Sequence, residues 1–136
     1  MSARSKARKR ALDMLYIADV RQASLRDILR EEAERAAAQP QRSSSWPYAE
    51  DIVRGVIDNA DAIDRLIELH ATGWSLARMP AVDRAILRVA VWELVHNSDI
   101  PTPVAISEAV EFATLLSTDD SAAFVNGVLG AIADGA

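Results

Sequence analysis

The side chains best suited to binding chemistry lie at the start of the chain. Arg4, Lys6, Arg8, Lys9 and Arg10 fall within the first ten residues, and none of those ten residues is acidic. The whole chain has a formal net charge of −5 at pH 7, so this positive charge is confined to one end of an acidic protein. Such a local cluster of cations predicts a binding site for a polyanion, because phosphate groups need positive charge at the contact.

Catalytic chemistry finds little support in the rest of the sequence. The chain has no cysteine and only two histidines, His70 and His96, which excludes thiolate chemistry and leaves few groups for a zinc site or a general base. The serines at 43–45 lack the flanking glycines of a nucleophile elbow, and Gly127 and Gly130 form no phosphate-binding loop. The sequence therefore predicts a protein that is not an enzyme, with no catalytic residue, metal or cofactor.

The elements that must position the basic cluster are helices. Apolar residues recur every three or four positions, and no segment alternates in the manner of a strand. Helices are predicted over about 3–20, 24–38, 47–71, 80–96, 104–116 and 117–133, with a short turn at about 74–79. Residues 85–92 are apolar nearly all round, which is typical of a central helix. The helical periodicity predicts an all-α fold, and the length predicts one domain (1–136). Its two subdomains, about 1–73 and 74–136, are expected to share a core.

Several residues mark the predicted helix ends. Ser24, with an acidic residue three positions later, favours a helix start, and Pro47 suits the first turn of the next long helix. Gly73 suits a left-handed cap at the end of that helix, and Ser117 or Thr118 can cap the last one. No apolar run approaches the roughly 20 residues of a membrane span, which predicts a cytoplasmic protein without a membrane partner.

The first predicted helix separates its apolar and charged residues. At 100° per residue, an inward arc of about 100° contains Ala7, Ala11, Met14, Leu15 and Ala18. The outward side carries Lys6, Lys9 and Arg10 together with Tyr16, Ile17 and Val20. Cations beside an aromatic ring suit a single-stranded nucleic acid, since unstacked bases need a flat apolar platform. The same face would also suit a protein partner, and a basic N-terminus is often a solvated tail.

The last predicted helix offers a second aromatic ring. Its inward stripe consists of Val125, Val128, Leu129 and Ile132. Phe124 projects at the edge of this stripe, where it can stack on a base or complete the core. Asp119 and Asp120 suit the first turn of the helix, because acidic groups are stabilised at the positive end of the helix dipole.

Strings in the second half of the chain resemble a known family. Residues 78–94, RMPAVDRAILRVAVWEL, are followed by DIP at 99–101, EAVE at 108–111 and FVNGVL at 124–129. In this order and spacing they closely resemble the NusB family of bacterial transcription antitermination proteins. The opening ARKRAL at 7–12, with Leu15 and Tyr16, looks like that family's arginine-rich first helix. The resemblance spans nearly the whole chain and is weakest from Ser24 to Tyr48.

The resemblance implies a fold and a set of partners. The implied fold has about seven helices in two packed three-helix bundles, with one additional short helix. The implied function is non-enzymatic binding of the boxA RNA of nascent ribosomal RNA leaders, together with the ribosomal protein NusE. This assembly would join a complex on RNA polymerase that suppresses termination.

The resemblance also assigns residues to this function. With Lys9 from the same cluster, the candidate RNA-binding residues are Arg4, Lys6, Arg8, Lys9, Arg10, Tyr16, Asp120 and Phe124. Tyr16 would lie where the RNA and partner surfaces meet, and Asp83 would face NusE, so that Asp83→Lys weakens capture of NusE without unfolding the domain. Ala122 and Ala123 stand where many relatives have polar or basic residues, which predicts RNA binding that depends on the partner.

Two other functions compete for the same surface. The sequence also resembles the N-terminal RNA-binding module of ribosomal RNA cytosine methyltransferases, although 136 residues cannot contain their catalytic domain as well. Alternatively, the chain is a helical adaptor that self-associates through its first helix. Some NusB-like proteins form homodimers, and such a dimer would bury the face proposed for RNA.

Overall fold

A computed structural model describes residues 1–42 and 44–135, so Ser43 and Ala136 lie outside the described residues. Within these ranges the chain forms seven α-helices, two short 3-10 helices at Pro40–Arg42 and Leu76–Arg78, and no strand. The α-helices are α1 (Ala3–Arg21), α2 (Leu25–Ala38), α3 (Trp46–Asp58), α4 (Ala60–His70), α5 (Ala81–His96), α6 (Thr102–Leu116) and α7 (Asp119–Gly135). None of the described helices is long and apolar enough to cross a membrane.

Two of the predicted helix starts are confirmed by capping hydrogen bonds. The Ser24 Oγ accepts from the backbone N–H of Asp27 at 3.4 Å, and the Thr118 Oγ1 accepts from the backbone N–H of Ser121 at 3.1 Å. Each bond satisfies a backbone donor that has no partner inside its helix. Gly73 has the expected positive φ of 82°, but it lies in the turn beyond α4, which ends at His70.

The single long helix predicted over 47–71 is wrong, because the structure divides it at Asn59. Both the backbone N–H and the side-chain amide of Asn59 donate to the Gly55 carbonyl, at 3.1 and 2.8 Å. Asparagine favours such positions because its side chain can bond to nearby backbone groups and so compete with helix continuation. Helix α4 begins after this break; its Ile63 and Ile67 are fully buried, and it packs against α5 and α7.

The helices form two three-helix bundles around a central α5. Helices α1, α2 and α3 pack together, α5, α6 and α7 pack together, and the short α4 lies against α5 and α7. Helix α5 contacts members of both groups, and one continuous core includes Ile52 and Ile63 from the first half with Leu87 and Leu129 from the second. This architecture confirms the all-α fold class and the central position predicted for residues 85–92.

The closest approach between α3 and α5 depends on Gly55. A Cβ added at Gly55 would lie 1.8 Å from the Trp92 Nε1, so the indole or the backbone would have to move. We expect Gly55→Ala to lower the free energy of unfolding by about 1–3 kcal/mol, measured by urea titration and circular dichroism. Gly127→Ala is the matched control, since a Cβ there meets nothing within 4 Å. The control should gain about 0.5–1 kcal/mol, and equal stability of the two variants would contradict the packing.

Candidate nucleic-acid interface

The structure places the five cations of the N-terminal basic cluster in three different environments. Lys6, Lys9 and Arg10 face outward, as the helical geometry predicted. The predicted inward arc is also confirmed, because its five residues, Ala7, Ala11, Met14, Leu15 and Ala18, are all buried. Arg8 is turned into the interior, and Arg4 lies over an aromatic ring.

The outward cations form one wall of a pocket of about 340 Å³, here called the basic pocket. It is lined by Met1, Lys6, Lys9, Arg10, Gln41, Ser44 and Ser45. The Arg10 Nη1 donates to the Ser45 Oγ at 3.0 Å, and its guanidinium carbon lies 5.1 Å from the centre of the Trp46 ring. The Lys9 ammonium pairs with Asp13, one turn along the helix, at 2.8 Å. The pocket therefore presents cations and hydroxyl groups to solvent.

Arg8 does not lie where a phosphate contact would require it. Its side chain is 4% exposed, and its Nε donates to both carboxylate oxygens of Glu93 at 2.9 Å. The Arg8 Nη1 also lies 3.4 Å from the Glu108 Oε1. Glu93 is itself buried in α5, and a buried carboxylate needs a cation to offset its lost hydration. The phosphate contact expected of Arg8 from the family resemblance is thus at odds with its buried position, where Arg8 joins α1 to α5.

Tyr48 connects this buried ion pair to Arg4. The Tyr48 hydroxyl donates to the Glu93 Oε2 and accepts from the Asn97 amide at 3.2 Å. Burial, with the hydrogen bond to Glu93 as a second cause, raises the pKa of Tyr48 well above its usual range, so the phenol keeps its proton as a donor. The exposed Arg4 guanidinium carbon lies 4.8 Å from the centre of the Tyr48 ring. Sequence reasoning missed Tyr48, since its partners are distant in the chain.

Tyr16 lines a second pocket, of about 360 Å³, on the same side of α1. Its side chain is 41% exposed. This apolar pocket is lined by Lys9, Leu12, Asp13, Tyr16, Pro80, Ala81, Val82 and Leu116. Because Lys9 lines both pockets, the basic and apolar pockets are neighbours. The sequence did not single out Val82 or Leu116, which reach this face only through the packing of α5 and α6 against α1.

Asp83 is also in the interior, contrary to the expectation that it faces a partner protein. Its side chain is fully buried, and its Oδ2 accepts a hydrogen bond from the Ser121 Oγ at 2.8 Å. Its other oxygen, Oδ1, has no hydrogen-bond partner among the described residues. The position at the first turn of α5 explains the acid, because the helix dipole stabilises negative charge there. The preceding residue, Val82, is half-buried and lines the apolar pocket instead.

Phe124 and Asp120 occupy the start of α7, apart from both pockets. Phe124 is half-buried and packs edge-on against Trp74, with ring centroids 5.0 Å apart and planes at 75°. Asp120 is exposed in the first turn of α7. The structure therefore adds Trp74, which the sequence did not single out, as the neighbour that fixes the Phe124 ring. A contact of these residues with RNA stays a prediction.

The remaining charged residues of α5 are structural. The Arg84 Nε lies 2.7 Å from Asp19 of α1, and the Arg88 Nε lies 2.9 Å from Asp64 of α4. Both arginines are therefore paired with acidic residues of neighbouring helices. Within the described ranges, no three histidine, cysteine or acidic side chains are grouped to hold a metal ion.

Comparison with known proteins identifies the family. The NusB family model matches residues 5–134. Transcription antitermination protein NusB of Leifsonia xyli subsp. xyli is 68% identical over 133 residues, which are 98% of this chain and 92% of that protein. The structure of T. maritima NusB matches with a TM-score of 0.82 at 34% identity, covering 96% of this chain and 90% of that one.

A further structural match comes from a complex. A chain in the crystal structure of the antitermination factors NusB and NusE in complex with dsRNA matches with a TM-score of 0.85 at 27% identity. The match covers 100% of this chain and 99% of that one. The family model, the 68% identity over nearly the whole chain and the shared fold all indicate the family that the motifs at 78–94 and 124–129 resemble. This chain belongs to the NusB family of non-enzymatic transcription antitermination factors.

Proposed function

We propose that this protein binds boxA RNA of nascent ribosomal RNA leaders together with NusE. In this proposal the assembly acts on RNA polymerase in the cytoplasm and suppresses termination. The observation that carries the proposal is the outer face of α1, where Lys6, Lys9 and Arg10 line the basic pocket and the exposed Tyr16 shares the neighbouring apolar pocket with Lys9. The similar chain that was crystallised with NusE and dsRNA supports both an RNA ligand and a NusE partner.

The RNA contacts follow from the exposed groups of this face. Lys6, Lys9 and Arg10 supply positive charge for phosphates, and Tyr16 supplies an apolar platform for a base. Arg4 adds a cation whose guanidinium is oriented by the ring of Tyr48. Phe124 and Asp120 would contact RNA farther along its path, whereas Arg8 is withdrawn from the set because Glu93 holds it in the interior.

The partner contacts follow from the apolar pocket. Apolar surface in this pocket comes from Tyr16, Val82 and Leu116. Leu115, which precedes Leu116 in the chain, is 68% exposed. Exposed apolar residues that cluster on one face of a folded domain are typical of protein interfaces. We therefore assign NusE to this pocket. A homodimer through the same face is the competing interpretation.

A gel-shift assay with boxA RNA and scrambled RNA, each with and without NusE, tests the proposed function. We expect boxA to be preferred and NusE to strengthen binding, because the two proteins extend one surface. Size-exclusion chromatography of the free protein tests the competing homodimer. A dimer that shows neither sequence preference nor enhancement by NusE would replace the proposal with a self-associating adaptor. The 68% identity to a transcription antitermination protein supports this proposal over the methyltransferase alternative.

Removing the three cations that line the basic pocket should weaken RNA binding without unfolding the protein. The variant carries Lys6→Ala, Lys9→Ala and Arg10→Ala. If each cation neutralises one phosphate, the slope of log affinity against log salt concentration becomes shallower by about 2. Fluorescence polarisation of labelled boxA at several salt concentrations measures this slope, and circular dichroism measures helicity.

The control for this variant removes the same charge from a different helix. Arg26, Arg30 and Arg35 are exposed on α2 and are replaced by alanine together. This control should keep the slope of the unmodified protein. An equal loss of slope in both variants would show that net charge, and not the face of α1, determines RNA binding.

A further inference from the structure

The basic pocket has a second wall that the proposed function leaves unused. Gln41, Ser44 and Ser45 belong to the connection between α2 and α3, and they face the cations of α1 across the pocket. Ser45 is held there by its hydrogen bond from Arg10. The tertiary structure thus brings hydroxyl and amide groups to the outward side of the basic helix.

The chemistry of the pocket favours an anion of the size of a nucleotide backbone unit. None of the described lining residues is acidic. The Lys9 ammonium is paired with Asp13, which lies outside the pocket lining, whereas among the described residues no ion pair of the Lys6 ammonium is found. Ammonium, guanidinium and hydroxyl groups all donate hydrogen bonds, which phosphate oxygens accept. A volume of about 340 Å³ equals that of roughly ten water molecules, which exceeds the need of a phosphate alone and leaves room for a ribose.

Trp46 fixes the direction of one donor in this pocket. Its ring is half-buried and packs against the hydrophobic core, while the Arg10 guanidinium carbon lies 5.1 Å from the ring centre. A guanidinium held against an aromatic face loses less conformational freedom when it binds a ligand. Trp46 and Ser45 therefore act as positioning residues for Arg10.

We propose that the basic pocket is a subsite for one phosphodiester and its ribose in the bound RNA. The RNA path then extends from α1 onto the connection between α2 and α3, so that both walls contact the same nucleotide. This inference rests on the proposed function, because it takes RNA as the ligand. It adds Ser44 and Gln41 as contacts and Trp46 as a positioning residue.

A carboxylate placed on the second wall tests the subsite. Ser44 is exposed, so Ser44→Glu should keep the fold while it repels a phosphate in the pocket. We expect boxA affinity to fall about tenfold at low salt, with a smaller loss at high salt because screening weakens the repulsion. Ser107→Glu, an exposed position on α6, adds the same charge elsewhere and should leave affinity unchanged. Equal affinity of the two variants overturns the subsite.

Crosslinking of the unmodified protein gives a second measurement that needs no variant. RNA carrying 4-thiouridine is bound and irradiated, and the crosslinked tryptic peptides are identified by mass spectrometry. The subsite predicts a crosslink in the peptide 43–54, which contains Ser44 and Trp46. Crosslinks confined to α1 and α7 would overturn it.

The outcomes separate this inference from the proposed function. If the α1 triple variant loses binding while Ser44→Glu does not, the subsite is wrong and RNA binding on α1 stands. If neither affects binding, both proposals fail. If polyglutamate of equal charge displaces the RNA at the same concentration, the pocket instead accepts an acidic protein segment, which also overturns the subsite.

Discussion

Replacing Arg8 with methionine is expected to lower the free energy of unfolding by about 3–5 kcal/mol, because it leaves a buried carboxylate without its cation. Glu93 is 1% exposed and receives both of its close charged hydrogen bonds from the Arg8 Nε. The remaining partner described for Glu93, the Tyr48 hydroxyl, is neutral and cannot balance the charge. Urea unfolding followed by circular dichroism measures the loss.

Two further variants distinguish a lost ion pair from a lost side chain. Lys6→Met also replaces one cation with methionine, at an exposed position of α1, and should alter stability by less than about 0.5 kcal/mol. Adding Glu93→Leu to Arg8→Met removes the stranded carboxylate and should recover about 2 kcal/mol, since an apolar pair can replace a buried ion pair. If the double variant instead loses the sum of both single effects, the uncompensated charge is not the cause.

Asp83→Lys is expected to destabilise the protein by about 3–5 kcal/mol, in contrast to the sequence-based expectation of a folded variant with weaker partner binding. The fully buried Asp83 leaves no room for a longer side chain, and the hydroxyl of Ser121 would lose its acceptor. A lysine would also place positive charge at the positive end of α5. Thermal and urea unfolding of the variant, compared with NusE capture, tests this prediction.

The control for Asp83→Lys is an acid in the corresponding turn of another helix. Asp120 lies in the first turn of α7 but is exposed. Asp120→Lys loses only the favourable interaction with the helix dipole, about 0.3–1 kcal/mol. A stable Asp83→Lys protein that fails to capture NusE would restore Asp83 to the partner surface. A large loss of stability at Asp83 alone would confirm its interior role.

These two predictions define which charges of the molecule are available to ligands. Arg8 lies within the basic cluster in sequence, yet its positive charge is neutralised inside the protein by Glu93. Lys6, Lys9 and Arg10 keep their charged groups on the surface of the basic pocket. A variant that changes all five cations of the basic cluster together would therefore combine unfolding with loss of RNA contact. Arg8 must be changed separately from Lys6, Lys9 and Arg10.

Local sequence patterns determined much of the fold. The helical spacing predicted the buried positions of α1, and Ser24 and Thr118 predicted the ends at which their side chains cap. These predictions are confirmed because amphipathic periodicity and capping depend on residues within one or two turns of each other. The break at Asn59 was missed because the helical periodicity of apolar residues continues through it. The packing of α4 against α5 and α7 involves residues that are distant in the chain, so the local pattern does not predict it.

The sequence by itself determined that this is a helical member of the NusB family with a basic first helix, and it identified Lys6, Lys9 and Tyr16 as surface candidates. Only the tertiary structure decided that Arg8 and Asp83 are interior and that Trp46 and Tyr48 hold two of the arginines. The physical reason is that a charged side chain near the edge of a helix has two favourable environments, water or a buried partner. Which of the two it occupies depends on groups from distant parts of the chain, such as Glu93, 85 residues away from Arg8.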